Sequence, residues 1–327
     1  MTSRPETTGP RPALIPPGLR DMALASLLFA VMGALVKLAE RHLPVGYAIF
    51  ARSAIGLALS YLLIRRAGLS WLGRRPRLLA LRGAIGFSAL YCTFQALGRL
   101  PIAHATVILQ TQPIWTAVAA AIFLREKAGL RVWIGCALAL TGVVLAADPR
   151  TLFGDAAHLD PLGVALALLA ALLSACAYVT VRALRRSDHP LVVVFWFALV
   201  ATPASLPTLF VEPVWPTPIL LLVLLGIGVT VQIAQVLMTR ALHREPAGRV
   251  AAVGYLQVVY AFAFGALFFD EAVEPLAVVG ALVVLTAAAT VSLELGRGRA
   301  RAAAAASADA SPSATDDAPL DSARRVS

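Results

Sequence analysis

The sequence predicts an all-α integral membrane protein with ten transmembrane helices, arranged as two inverted five-helix repeats. Three observations carry this. The 327-residue chain is 59% hydrophobic and only 14% charged, with a mean hydropathy of +0.79, where soluble domains carry roughly 25% charged residues. The chain also falls on itself when shifted by 145 residues: positions 96–142 align without a gap on 241–287, with eleven of the 47 identical. Ala and Leu matches are cheap in so apolar a chain, but Arg99 with Arg244, Pro101 with Pro246, Gln112 with Gln257 and Glu126 with Glu271 are not. Finally, the charges around the two copies are opposite. Arg125, Lys127 and Arg131 surround Glu126, whereas Asp270 and Glu274 stand beside Glu271. Basic loops stay in the cytoplasm, so two like-folded halves with opposite loop charge point opposite ways across the bilayer.

In chain order, residues 1–20 are rich in Pro, Thr and Arg and read as a disordered cytoplasmic tail. Ten apolar stretches follow, most near the ~20 residues that cross a hydrocarbon core of ~30 Å. The first repeat, 21–147, holds stretches at 21–39, 46–64, 79–98, 102–123 and 130–147. The first of these is long enough to span and lacks a clear small-residue cleavage site, so it is expected to stay as helix one. The polar linker 148–160 joins the halves on the outside. The second repeat, 161–293, holds stretches at 161–181, 190–211, 217–239, 248–269 and 273–293, and residues 294–327 form a second disordered cytoplasmic tail.

Loop charge orients these spans. With the N-terminus inside, cytoplasmic segments hold 22 of the 28 basic residues, and external loops hold only Arg41, Arg99 and Arg150. External loops also carry eight of the eighteen acids. Both termini are therefore expected in the cytoplasm. The net charge of +10 is accounted for by this sorting, which leaves no call for a nucleic-acid partner.

Several chemistries are excluded. The only lysines, Lys37 and Lys127, stand in no GxxxxGK[ST] loop, so the chain is not by itself an ATP-driven pump. No His/Cys/Asp/Glu cluster has zinc spacing and no GxSxG arrangement stands out, so no catalytic residue, metal or cofactor is assigned. Cys92, Cys136 and Cys176 fall in separate spans and read as small apolar residues.

Polar residues inside a membrane are functional by default because they are expensive. Three cations lie within spans. Lys37 has Glu40 three residues on as a helix-face partner. Arg52 is deep and has no acid in its own helix. Arg82, near the start of helix three, reads as a side chain that snorkels to the interface. In the repeat register Lys37 matches Arg182, Arg52 matches Phe197 and Arg82 matches Ile227. No acid lies near the middle of any span, so the cations point to an anionic or zwitterionic solute. Gln110 and Gln112 flank the centre of helix four beside Pro113, and Gln257 holds the matching place in helix nine between Tyr255 and Tyr260. Helix breakers beside amides at mid-depth leave polar groups to face a cavity, though interhelical hydrogen bonds would use the same residues. Tyr91 and Gln95 share one face of helix three. The candidate solute-binding residues are thus Gln112, Gln257, Gln110, Tyr255, Tyr260, Arg52, Lys37, Tyr91 and Gln95.

The run ALGRLPIAHATVILQTQPIWTAVAAAIFLREK (96–127), followed by GxxLxLTGVVL over 135–145, resembles the core of an EamA-type repeat of the drug/metabolite transporter superfamily. The second copy, ALHREPAGRVAAVGYLQVVYAFAFGALFFDE (241–271), resembles it too, with Val258 in place of Pro113. MGALVKL (32–38) and FARSAIGL (50–57) resemble the first two helices of the metabolite-exporter branch. The resemblance covers about 21–293. It implies a ten-helix fold with a central cavity lined by both halves. It also implies solute transport in a bacterial inner membrane by alternating access, often without a prosthetic cofactor. Glu126, Glu271 and Pro113 are structural signature positions of the repeat.

The leading reading is a secondary transporter of a small amino-acid-like metabolite, with export favoured over uptake. Its partners are the solute and the lipid bilayer, and the oligomeric state is open, a monomer included. A membrane-embedded enzyme for lipid-linked substrates would need a catalytic cluster at the interface. Only Glu126 and Glu271 offer one, and they are expected on opposite sides. An accessory membrane subunit is the third reading, and flux through the isolated protein separates it from the first.

Overall fold

A computed structural model describes residues 15–100, 102–126, 129–146, 160–210, 213–268, 275–276 and 278–287. Regular structure among the described residues is helical throughout. The helices are α1 (Pro17–Glu40), α2 (Val45–Arg66), α3 (Pro76–Leu97), α4 (Ile102–Leu109), α5 (Gln112–Leu124), α6 (Leu130–Ala146), α7 (Pro161–Leu184), α8 (Pro190–Ser205), α9 (Pro218–Arg244), α10 (Ala247–Gly254), α11 (Leu256–Phe268) and α12 (Val278–Ala287). A 3₁₀ turn, Leu206–Leu209, extends α8. Among the described residues, eight continuous helical runs are long and apolar enough to cross a membrane: α1, α2, α3, α4 with α5, α7, α8 with its 3₁₀ turn, α9, and α10 with α11. Two shorter apolar helices, Val132–Leu145 and Val278–Ala287, accompany them.

Local chemistry explains where these helices begin. Proline opens α1, α3, α7, α8 and α9, where its missing N–H costs nothing and its φ is already helical. Side chains cap three of them: Asp160 accepts from Leu162 N at 3.1 Å, His189 Nδ1 from Leu191 N at 3.3 Å, and Thr217 Oγ1 from Leu220 N at 3.4 Å. Basic residues close α2, α7 and α9, complementing the negative end of the helix dipole.

The halves interdigitate. The broadest contacts join α1 to α9 and α3 to α7; α2 lies on α8 and α9, and α3 on α8, whereas α1 and α2 barely touch. The 145-residue shift exchanges these pairs: α1 on α9 becomes α7 on α3, and α5 on α7 becomes α11 on α1. The main core, including Leu19, Met22, Val193, Leu242 and Val250, lies between the two halves. Outward-facing Phe123, Ile219, Leu222 and Leu267 are largely exposed, as lipid-facing side chains are. Between helices in lipid, close packing rather than water exclusion gives the attraction. Where α6 meets α12, a Cβ on Gly142 would stand 2.7 Å from Gly280 O, so the two backbones touch.

Polar contacts sort to the two ends of the bundle. At one end Arg244 pairs with Asp21 at 2.9 Å, Arg182 binds the last carbonyls of α9, and Arg74 N donates to Asp188. At the other, Arg99 faces Asp160 at 3.9 Å and Tyr47 Oη accepts from Val214 N. The start of α1 and the end of α7 therefore meet the same final turn of α9. These two repeat-related helices run in opposite directions.

Candidate functional site

Two helical runs are interrupted at the same distance from their starts. Gln110 is ninth in the run 102–124, and Tyr255 is ninth in the run 247–268, about 12 Å from each start at 1.5 Å per residue. In the first, Pro113 has no N–H to give. The N–H of Ile114 turns to Thr111 O at 3.0 Å, which leaves the Gln110 carbonyl without its helical donor. In the second, Val258 N donates to Tyr255 O at 3.0 Å, the same tightening without a proline. The two interruptions meet, since Tyr255 Oη donates to Gln110 O at 2.8 Å. A carbonyl released in one half is thus satisfied by the repeat-related residue of the other.

The other sequence candidates surround this contact unevenly. Gln112 is half-buried; its Nε2 donates to Thr116 Oγ1 at 2.9 Å, and Thr116 Oγ1 donates to Gln112 O. Gln257 is exposed, Tyr260 half-buried and Pro113 buried. Arg52 is half-buried in α2, with no hydrogen-bond or ion-pair partner among the described residues. Lys37 lies exposed in the last turn of α1, and Tyr91 is exposed on α3. Gln95 Oε1 accepts from Arg99 Nη1 at 2.5 Å, near the end of α3. Gln232 Nε2 donates to Ser60 Oγ at 2.8 Å and ties α9 to α2. Residues 1–14 and 288–327, the linker before Asp160, and Glu271 lie outside the described residues; the rest of the stretch 1–20 leads into α1, which begins at Pro17.

Glu126 is the hub of one bundle end. Arg125, with φ of 53°, takes the left-handed conformation that ends α5 and turns Glu126 back. Glu126 Oε1 then accepts from Arg182 Nε at 2.7 Å, and Oε2 accepts from Ala247 N at 3.1 Å. The carboxylate sits on the positive N-terminus of α10, while Arg182 Nη1 donates to the Leu242 and His243 carbonyls at the negative end of α9, both at 3.0 Å. Four helices meet in one charge-assisted network. The sequence pointed to Arg182 only as the mate of Lys37.

Arg82 is the residue that sequence reasoning misplaced. A snorkelling arginine shows its guanidinium to water, but this one is 4% exposed, and its Nε and Nη1 have no hydrogen-bond partner among the described residues. Its Cζ stands 5.0 Å from the centre of the Phe197 ring. Such a cation–π contact is worth about 0.5–2 kcal/mol, whereas even lenient scales charge about 3 kcal/mol for an arginine in the bilayer interior. The ring alone does not offset the burial. The sequence trace of this placement is Gly86, one turn on: a Cβ there would collide with Arg82 Nη1 and come within 3.0 Å of Phe197.

Comparison with known proteins agrees with this architecture. The sequence profile described as the EamA-like transporter family matches residues 18–147 and 161–293. The pseudopaline exporter CntI of Pseudomonas aeruginosa is 32% identical over 280 residues, covering 85% of this chain and 97% of that protein. Solute carrier family 35 member G1 of Mus musculus is 30% identical over 295 residues, covering 84% and 78%. A solved crystal structure superposes with a TM-score of 0.75 at 22% identity, covering 86% of this chain and 97% of that one; at this identity the likeness concerns the fold alone.

Proposed function

The chain belongs to the EamA-like transporter family, and on that premise we propose that it exports a small polar, anionic or zwitterionic metabolite of amino-acid type by alternating access. Transport of a small solute by a multi-pass membrane protein, rather than enzymatic turnover, follows from the family itself. The finer reading is ten spans, with α6 and α12 as the fifth and tenth, in two inverted repeats over 21–147 and 161–293. Both termini lie on the cytoplasmic side of a bacterial inner membrane. Export is favoured because a relative matched over 97% of its own length is a pseudopaline exporter.

The observation that carries the proposal is the hydrogen bond from Tyr255 to the freed Gln110 carbonyl. It joins two interrupted helices, one from each half, at mid-depth, where a rocking pair of repeats presents its solute site. Gln110, Gln112, Gln257, Tyr255 and Tyr260 are assigned to that site. Arg52 supplies charge, and Lys37, Tyr91 and Gln95 flank the route. A comparison of metabolites inside and outside cells with and without the protein tests this. Carboxylated metabolites should accumulate inside cells that lack it, and a change confined to lipophilic cations would overturn the reading. In proteoliposomes, Gln112→Leu and Gln257→Leu should each weaken solute affinity about tenfold, the worth of one or two hydrogen bonds, with insertion intact.

A further inference from the structure

We propose that Arg82 is the seat of the solute's carboxylate, in an occluded site between α3, α7 and α8 formed by its guanidinium, the Phe197 ring and the Tyr178 phenol. This rests on the reading that the solute is anionic or zwitterionic; within it the carboxylate's seat passes from Arg52 to Arg82, and Arg52 supplies charge along the route.

Four observations carry it. First, a guanidinium cannot shed its proton to escape burial, so a water-free arginine needs an anion. Among the described residues Arg82 has no such partner at Nε or Nη1, both of which are buried. Second, the same fold shows how it treats a buried arginine with a structural task. Arg182, 5% exposed, is matched by Glu126 at 2.7 Å and by two carbonyls. Third, the repeat does not require a cation here, since the matching position is Ile227, fully buried in α9. Fourth, the guanidinium lies against bare backbone. Gly86 has no side chain where one would strike the guanidinium.

The chemistry of the surroundings suits a carboxylate. Phe197 covers one face of the guanidinium, which leaves its edge for two parallel N–H···O bonds. Tyr178 of α7 lies within electrostatic reach, and its hydroxyl can donate to the same anion. Arg82 is six residues inside Pro76, about 9 Å along the axis. A solute carboxylate that reaches it has left the interface.

The test uses purified protein in lipid nanodiscs, with sodium acetate, sodium succinate and sodium chloride at matched ionic strength. For the unmodified protein, acetate and succinate should raise the apparent Tm by several degrees beyond chloride. Arg82→Met should lose that response, while its Tm without carboxylate stays equal to or above that of the unmodified protein, because an unpaired charge has gone. An arginine needed only for packing would lower it. Gly86→Ala, which keeps the charge but displaces it, should weaken the carboxylate response at least tenfold in concentration. This variant decides the matter if Arg82→Met does not fold. An equal rise with chloride would assign the site to a resident inorganic anion and overturn the proposal. A full carboxylate response in Arg82→Met or Gly86→Ala would overturn it while leaving the anionic-solute reading intact. No response of the unmodified protein to either carboxylate would overturn both.

Discussion

Arg182 and Arg82 are buried to nearly the same degree, yet one meets a carboxylate and two carbonyls and the other meets an aromatic ring. Hydropathy counts charges along a helix axis but carries no information about which face they occupy. That is why the sequence placed Arg82 at the interface. It set Glu126 at a helix end, but could not show that one carboxylate would serve both Arg182 and the first turn of α10, since those groups are 56 and 121 residues away. Glu126→Gln keeps the shape and removes the charge, which leaves Arg182 buried without a counterion. Thermal unfolding in detergent should report a loss of about 2–3 kcal/mol, with solute preference unchanged. A switched preference at normal stability would show that Glu126 touches the solute.

At the scale of the element, the amides and Pro113 drew attention to the middle of helix four, and the matched Gln257 extended it to helix nine. Val258 in place of Pro113 removed the sequence signal for a second interruption, yet the structure has one at Tyr255. The cause is a partner rather than a breaker: the Tyr255 phenol takes up, across the interface, the Gln110 carbonyl that Ile114 N–H leaves by turning to Thr111, and no local pattern announces such a contact. Tyr255→Phe should therefore cost about 1–2 kcal/mol of stability for the stranded carbonyl and slow transport. Pro113→Ala should have the smaller effect, because the hydroxyl still holds Gln110 O. The reverse order would mean that proline alone makes the break.

The start of α8 gives a pH dependence. His189 Nδ1 caps the helix by accepting from Leu191 N, which requires an unprotonated Nδ1. Burial, with Arg240 nearby, holds its imidazole below the ordinary histidine range. The folded state thus binds fewer protons than the unfolded one below about pH 6.5. Stability should be flat above that value and fall as pH drops through it. His189→Asn keeps a cap without a titrating group, and a Tm series across pH should show a smaller decline.

At the scale of the whole molecule, apolar stretches and an exact 145-residue register made the helical class and the internal duplication readable. Which helix packs on which was not readable, because ridges of Ala, Leu and Val look alike in sequence. The inverted topology predicts that Trp215→Cys, 96% exposed between α8 and α9, reacts with an impermeant thiol reagent on intact cells. Arg75→Cys, between α2 and α3, should react only after permeabilisation. Labelling of both from outside would remove the inversion.

The interleaving of the halves bears on how the chain is made. Since α1 finds its main surface on α9 and α3 on α7, the first-synthesised helices enter the bilayer long before their partners exist. At about 5–20 residues per second, the 201 residues from Pro17 to Pro218 take roughly 10–40 s and the 85 from Pro76 to Pro161 roughly 4–17 s. During those intervals Arg82 and Arg52 face lipid without the surfaces that later cover them, and Glu126 awaits Arg182. The first half is thus a client for the insertion machinery until the second arrives, and translation speed across the junction becomes a determinant of yield.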